Sequence, residues 1–313
     1  MRDAASLRSL QGRLKRGLER HVPMAQLCTL KVGGPADYFV EPVDLEELRS
    51  IIGAAWSDEL PILVIGSGSN LLVCDEGFPG VVVRLEGVFR RLSHRTPQRV
   101  ESGGAVLINR LVERCLAWEL SGGIESLYGI PGTLGGAVRM NAGAHEREIS
   151  NYIVKLECIR VERLQEETEP QVYTLEGEEL SRGFAYRTGP LAGQDVLTKA
   201  ILEIPVCEDR AGSKARLREM KDLRKVKHPR EPSAGSVFRN PPGTSAGIVI
   251  ERCGCKGWRE GDAEVSQKHA NFIVNMGEAS AGDLHRLAMK VRCAVLEKEG
   301  IELELEWKLV GLP

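Results

Sequence analysis

Hydrophobic and polar positions along the chain follow two rhythms. At a period near 3.6, Leu7, Leu10, Leu14 and Leu18 set one apolar stripe and predict a helix over residues 1–20. Leu45, Leu48, Ile51, Ile52 and Ala55 set a second stripe, and Leu107, Leu111, Val112, Cys115 and Leu116 a third, over 105–120. Leu284, Leu287, Ala288, Val291 and Val295 set a fourth. Asp44 with Glu47, and Ser280 with Asp283, have capping-box spacing, and Gly300 suits a helix stop. Short apolar runs at 38–40, 61–65, 81–83, 153–161 and 196–204 read as strands. Residues 301–307 alternate strictly, which puts Glu302, Glu304 and Glu306 on one face and Ile301, Leu303 and Leu305 on the other. The segment 214–227 reads as a helix with seven basic and two acidic residues, stopped by His228-Pro229. This mixture predicts an α+β protein.

Composition sharpens that picture in three places. Glycine is concentrated: residues 122–143 hold seven in 22, far above the ~7 % norm. These glycines are expected to keep the stretch out of regular helix or strand. The net charge of −2, from 42 basic and 44 acidic residues, argues against a nucleic-acid or membrane binder, which needs a cationic field. The longest apolar runs are strand-sized, well short of the ~18–20 residues of a membrane span. Eight cysteines without a Cys-x-x-Cys pair, and without a signal peptide ahead of them, point to thiols in a reducing, cytoplasmic setting. Cys253-Gly254-Cys255 is half a metal site at most, so scattered thiols are expected and no metal. The basic helix at 1–20 suits a docked helix with a solvated face better than a targeting peptide. A composition shift at Pro205 suggests a first unit to about 207 and a second from 208.

Five candidates for chemistry remain. Ile65-Gly66-Ser67-Gly68-Ser69-Asn70 follows a strand with small residues whose bare amides suit a phosphate or pyrophosphate. Leu71-Leu72-Val73 follows rather than a helix, so this is not a Rossmann fingerprint, and alone it also reads as a hairpin loop. Gly129-Ile130-Pro131-Gly132-Thr133-Leu134-Gly135-Gly136, continuing to Asn141, suits close approach to a flat cofactor or a tight crossing of elements. Two such stretches together favour a dinucleotide site. Ser236, after Ala234-Gly235, is either exposed to a ligand or a turn serine. Glu306 is either solvated or turned into a cleft. Arg187, in Phe184-Ala185-Tyr186-Arg187, offers a planar fork for a carboxylate or phosphate, or is an ordinary surface arginine.

Taken in order, seven motifs resemble one family, the flavin-dependent UDP-N-acetylenolpyruvoylglucosamine reductases of bacterial cell-wall synthesis. They are Thr29 to Ala36, Gly66 to Leu72, Gly129 to Asn141, Tyr186-Arg187, Ala234 to Pro241, Lys268 to Asn275 and Leu303 to Glu306. The resemblance implies a two-subdomain FAD-binding domain of the vanillyl-alcohol-oxidase (PCMH) type over 28–207. A helical extension, 1–27, precedes it, and a C-terminal α+β substrate-binding domain, 208–313, follows. The 106 residues of that last segment match the family's shorter form, without an inserted tyrosine-bearing lid. FAD is the implied cofactor and NADPH the co-substrate, with a UDP-sugar as the small-molecule partner. No nucleic-acid, membrane or obligate protein partner is implied. Gly66, Ser67, Gly68, Ser69 and Asn70, with Gly129, Ile130, Pro131, Gly132, Thr133, Gly135, Gly136 and Asn141, match cofactor-binding positions. Arg187 and Glu306 match positions that bind and polarise the substrate carboxylate, and Ser236 matches the proton donor. Tyr186, Lys227 and Asn240 match substrate contacts. Glu306 beside a carboxylate is expected to be protonated in the complex or to share a proton with its neighbours. The chain departs from the pattern at Tyr128, Thr188-Gly189, Ile248, Asp262 and Glu264. A flavin oxidase of the same fold and a catalytically silent nucleotide-binding protein are the competing readings.

Overall fold

The computed structural model describes residues 4–164 and 167–312; the first three residues of the expected N-terminal helix lie outside them. Two compact units interleave along the chain. The first comprises Met1–Arg20, Tyr38–Gly66 and Pro79–Asp222, and the second His21–Asp37, Ser67–Phe78 and Leu223–Pro313.

Among the described residues the first unit has two larger sheets, a two-stranded pair of Gly143–Ala144 with Arg147–Glu148, and two apolar cores. In one sheet the strands run in the order Leu18–Pro23, Pro35–Val40, Phe78–Arg84, Ile62–Ile65. The last two are parallel, with Ile62 opposite Val81. Helix Leu45–Ser57 buries Leu48, Ile51, Ile52 and Ala55 in the core of this sheet. Its start is fixed by Asp44, whose Oδ1 accepts from the Glu47 amide at 3.0 Å. The other sheet is antiparallel throughout, in the order Val172–Glu176, Ile153–Ile159, Val196–Glu203, Arg99–Gly103, Leu92–Thr96. Helix Ile108–Ala117 packs Leu111, Val112 and Cys115 into the second core. It begins three residues later than its apolar stripe suggested, and Leu107 is 49 % exposed just ahead of it.

The N-terminal segment corrects its expectation. The helix covers only Ala5–Arg8, and Leu18 opens a strand. The apolar positions still serve: Leu7 and Leu18 are buried, and Leu10 and Leu14 pack on the same core. Asp58 caps the short helix, and beyond it the chain runs on in turns. The Asp58 carboxylate accepts from the Ser6 and Leu7 amides at 3.0 and 2.8 Å, and Glu47 accepts from the Lys15 amide at 3.0 Å. Gly17, at φ +76°, turns the chain into the strand.

The second unit is built around helix Ala281–Glu299, whose capping box and left-handed Gly300 match the sequence pattern. Its apolar face packs with a sheet of Arg259–Glu260, Ala263–Val265 and Ile273–Asn275. Leu30, Val32 and Leu72 complete the core. Strand Lys308–Val310 runs parallel to Leu71–Val73. The alternating segment 301–307 is not a regular strand. It makes one antiparallel bridge, Phe238 to Leu305, because its neighbour is an irregular chain rather than a sheet edge. Its alternation survives in burial: Leu303 is in the core, whereas Glu302 lies outside and pairs with Arg292 at 2.5 Å.

Candidate active site

In the first unit, strand Ile62–Ile65 delivers Gly66 to a point where a Cβ would lie 2.5 Å from Thr133 Oγ1. The entry to the first glycine loop therefore abuts the second glycine stretch. That stretch contains a six-residue helix, Leu134–Arg139, contrary to the expectation that its glycines exclude one. Tertiary contact outweighs propensity here. Leu134 and Val138 are fully buried, Thr133 Oγ1 accepts from the Gly136 amide at 3.4 Å, and the Gly135 amide donates to Gly104 O at 2.8 Å. Upstream, Gly129 and Gly132 have φ of +83° and +124°, conformations a side chain would strain. The Gly129 amide donates to Asn109 Oδ1 at 2.5 Å, and Gly132 O accepts from the Ile108 amide at 3.1 Å.

Asn141 ties this stretch to the arginine candidate. It is buried, and its Nδ2 donates to Glu148 Oε2 at 2.7 Å and to Ala185 O at 3.1 Å. Ala185 and Thr188 exchange both backbone bonds at 3.0 Å, which closes a two-residue turn on Tyr186 and Arg187. Arg187 takes φ +55°, and its guanidinium lies 4.9 Å from the centre of the Tyr186 ring. A Cβ on Gly189 would run into Val138 O, which accounts for one departure from the family pattern.

In the second unit, Ser67–Asn70, Ser236 and Glu306 are held by a shared set of bonds. Gly68 O accepts from the Thr29 amide at 3.1 Å, and Thr29 Oγ1 donates to Ser233 O at 2.6 Å. Asn70 Nδ2 donates to Glu306 O at 3.0 Å, and Asn70 O accepts from the Lys308 amide at 2.9 Å. The Glu306 amide donates to Val237 O at 2.8 Å, so Ser236 sits one residue from a rung to Glu306. Val237 and Phe238 are anchored in the core. Asn271 acts as a strand partner to Phe238, accepting from its amide at 2.9 Å and donating to its carbonyl at 2.8 Å. Ser236 follows Gly235, which has φ +70° and open space where a Cβ would stand. Asn240 Oδ1 accepts from the Ala246 amide at 3.0 Å, and Lys227 ends helix Arg210–Lys227.

Of the expected site residues, Gly66, the 129–141 stretch, Tyr186 and Arg187 belong to the first unit, and Ser67–Asn70, Lys227, Ser236, Asn240 and Glu306 to the second. Two histidines were read only as a helix stop and as part of a motif. His228 and His269 form a cluster with Phe272, with ring centroids 5.0 and 4.9 Å from it. Burial, with the charges of Arg224, His269 and Lys227, pushes His228 down to about 4. Burial lowers His269 too, so both rings are neutral beside the Lys227 end of the helix. The joining of positions 228 and 272 is a tertiary fact that local pattern does not carry. Cys253 and Cys255 are core thiols, and burial raises Cys255 to about 11. Among the other departures, Asp262 Oδ2 accepts from the Glu278 amide at 3.0 Å, buried Glu264 accepts from Arg259 Nε at 2.7 Å, and Ile248 is exposed.

Comparison with known proteins adds two family matches: an FAD binding domain over residues 36–162, and the C-terminal domain of UDP-N-acetylenolpyruvoylglucosamine reductase over 227–310. UDP-N-acetylenolpyruvoylglucosamine reductase 2 of Symbiobacterium thermophilum is 39 % identical over 299 residues, covering 94 % of this chain and 92 % of that one. The corresponding reductase of Heliobacterium modesticaldum is 40 % identical over 293 residues, 92 % of this chain and 89 % of its own. Among solved structures, the UDP-N-acetylenolpyruvylglucosamine reductase of Thermus caldophilus aligns at a TM-score of 0.77 and 37 % identity, over 94 % of this chain and 98 % of that one.

Proposed function

We propose a residue-by-residue mechanism on the premise that the chain belongs to the UDP-N-acetylenolpyruvoylglucosamine reductase family. It is an FAD-dependent oxidoreductase that reduces UDP-N-acetylglucosamine enolpyruvate to UDP-N-acetylmuramate with NADPH, a step in peptidoglycan precursor synthesis. The flavin oxidase and silent-protein readings are not favoured. For function the chain divides into an extension, 1–27, an FAD-binding domain, 28–207, and a substrate domain, 208–313. Both family matches fall inside the last two segments.

The residues present fit a flavin dinucleotide. Gly66, Ser67, Gly68 and Ser69 have no side chain or a small one, which lets a ligand approach the main chain closely. A Cβ on Gly136 would meet only Thr133 Oγ1, at 3.8 Å, so no side chain blocks approach to the main chain there. The stretch from Ser126 to Val138 carries no charge. Residues 66–70 would hold the group through backbone amides, and 129–136, with Asn141, by close approach of a chain nearly without side chains, since the amides of Gly129, Ile130, Leu134, Gly135 and Gly136 are bonded within the protein. When bound, FAD takes electrons from NADPH and passes them as hydride to C3 of the enolpyruvyl group.

Negative charge then develops at C2 and spreads into the substrate carboxylate. Arg187 supplies a fixed bidentate charge to that carboxylate, and one such donor is typically worth ~10²–10³ in rate. Glu306, protonated in the complex, donates to the same group instead of repelling it. Ser236 Oγ gives its proton to C2, which completes the product. Tyr186, Lys227 and Asn240 contact the UDP-sugar. NADPH and the sugar use one site in turn, giving ping-pong kinetics. The reaction is placed in the cytoplasm, where the protein's eight unpaired thiols are stable. Among the described residues no helix is long and apolar enough to cross a membrane.

The observation that supports this reading is the bond from the Glu306 amide to Val237 O, which ties the main chain next to Ser236 to that of Glu306. The test is anaerobic absorbance spectroscopy of the purified protein. NADPH should bleach the flavin, and the enolpyruvyl sugar should restore its colour without oxygen. Recolouring by oxygen alone, with indifference to the sugar, would overturn the assignment.

A further inference from the structure

Helix Arg210–Lys227 has little apolar surface; among its described residues only Ser213 is buried. A helix this polar needs other contacts to hold its place. It makes them along the part that lies in the first unit. Arg210 pairs with Glu119, and Ser213 Oγ lies 2.8 Å from Ser121 Oγ. Arg216 Nε donates to Glu125 Oε1 at 2.5 Å, and Lys221 Nζ lies 4.6 Å from the centre of the Tyr128 ring. Lys221 also reaches Glu113 Oε1 at 3.6 Å. Residues 210, 213, 217 and 221 share one helical face, with Arg216 on its flank, and Leu217 packs on the second core of the unit. Their partners at 119, 121, 125 and 128 follow in the same order, so the contacts form a seam.

The far side of that seam leads into the glycine stretch. Tyr128 directly precedes Gly129, the first of the two residues whose positive φ sets the course of the loop. Glu125 is 1 % exposed, and Arg216 provides its charge partner while Ser121 Oγ donates to its other oxygen at 3.0 Å. An uncompensated buried carboxylate is costly, so this pair strongly fixes where residues 121–128 lie. Tyr128 and Lys221 extend the hold to the last residue before the loop.

We propose that helix Arg210–Lys227 is a positioning element for the cofactor. Through Arg216 and Lys221 it presets residues 129–133, and it therefore governs FAD affinity from positions that touch no flavin. This rests on the proposed function, in which that loop holds FAD. Preorganisation of this kind shows in affinity even when the fold is intact.

The test titrates FAD into wild-type and variant apoprotein by flavin fluorescence, well below each protein's unfolding temperature. Arg216→Met should raise the FAD Kd about tenfold by stranding Glu125. Lys221→Met, at a half-buried position, should raise it about threefold through loss of the cation–π contact. Tyr128→Phe keeps an aromatic face and should stay near wild type, whereas Tyr128→Ala should match Lys221→Met. Arg218→Met, on the same helix, is the control and should leave the Kd unchanged. If Arg216→Met does not fold, Lys221→Met and Tyr128→Ala decide the matter. Lower unfolding temperatures with unchanged Kd values would show the seam to be structural only and overturn the proposal. Wild-type protein that binds no FAD would instead overturn the functional reading beneath it.

Discussion

A serine hydroxyl is a poor acid, so Ser236 can serve only where its partner is a strong base and its position is fixed. In the proposed mechanism the enolate is the base, and the bond from Glu306 to Val237, the next residue, steadies the main chain at Ser236. Ser236→Ala should therefore leave bleaching by NADPH intact and slow recolouring by the enolpyruvyl sugar ~10²–10⁴-fold. Stopped-flow absorbance separates the two halves. Arg187→Lys keeps the charge but loses the fork, and turnover should fall ~10²-fold with the circular dichroism spectrum unchanged. His228 makes a separate prediction. Its folded pKa of about 4 lies below the ordinary 6.5, so the unfolded chain binds the extra proton first as pH drops. The stability this neutral ring contributes is complete above pH 6.5 and is lost as pH falls toward 4. Urea midpoints measured across that interval should decline less steeply in His228→Asn.

Single elements show which local signals survive folding. The Ser280–Asp283 start and the Gly300 stop were legible because caps act within one turn and need no distant partner. The helix over 1–20 was misread because beyond Arg8 the chain runs on in turns, the Lys15 amide goes to Glu47, 32 residues away, and Gly17 turns the chain into a strand. The helix at Leu134–Arg139 was missed for the converse reason: Gly135 is there to approach Gly104, and helical propensity does not report that contact. In the site, the residue types of Ser236, Arg187 and Glu306 were legible through motifs. Asn271 was not given its role, since only the fold sets its amide against Phe238. Asn271→Ala would leave a buried donor and acceptor unmet and should cost about 2–3 kcal/mol. Chemical denaturation reads that loss.

At the scale of the whole molecule, the ordered motifs had pointed to the family to which the chain belongs. The interleaving of the two units was not visible, because its evidence is contact over very long separations. Asn275 Nδ2 donates to Leu30 O at 3.1 Å across 245 positions, and Leu309 lies opposite Leu72 in a parallel pair. That arrangement bears on how the gene can be dissected. A polypeptide starting at residue 223 would lack Leu30, Val32 and Leu72 and would leave strand Lys308–Val310 without its neighbour. Expressed alone, it should be recovered in inclusion bodies or as an aggregate by size-exclusion chromatography. Splicing residues 21–37 and 67–78 back onto it, by circular permutation, should return a soluble miniature.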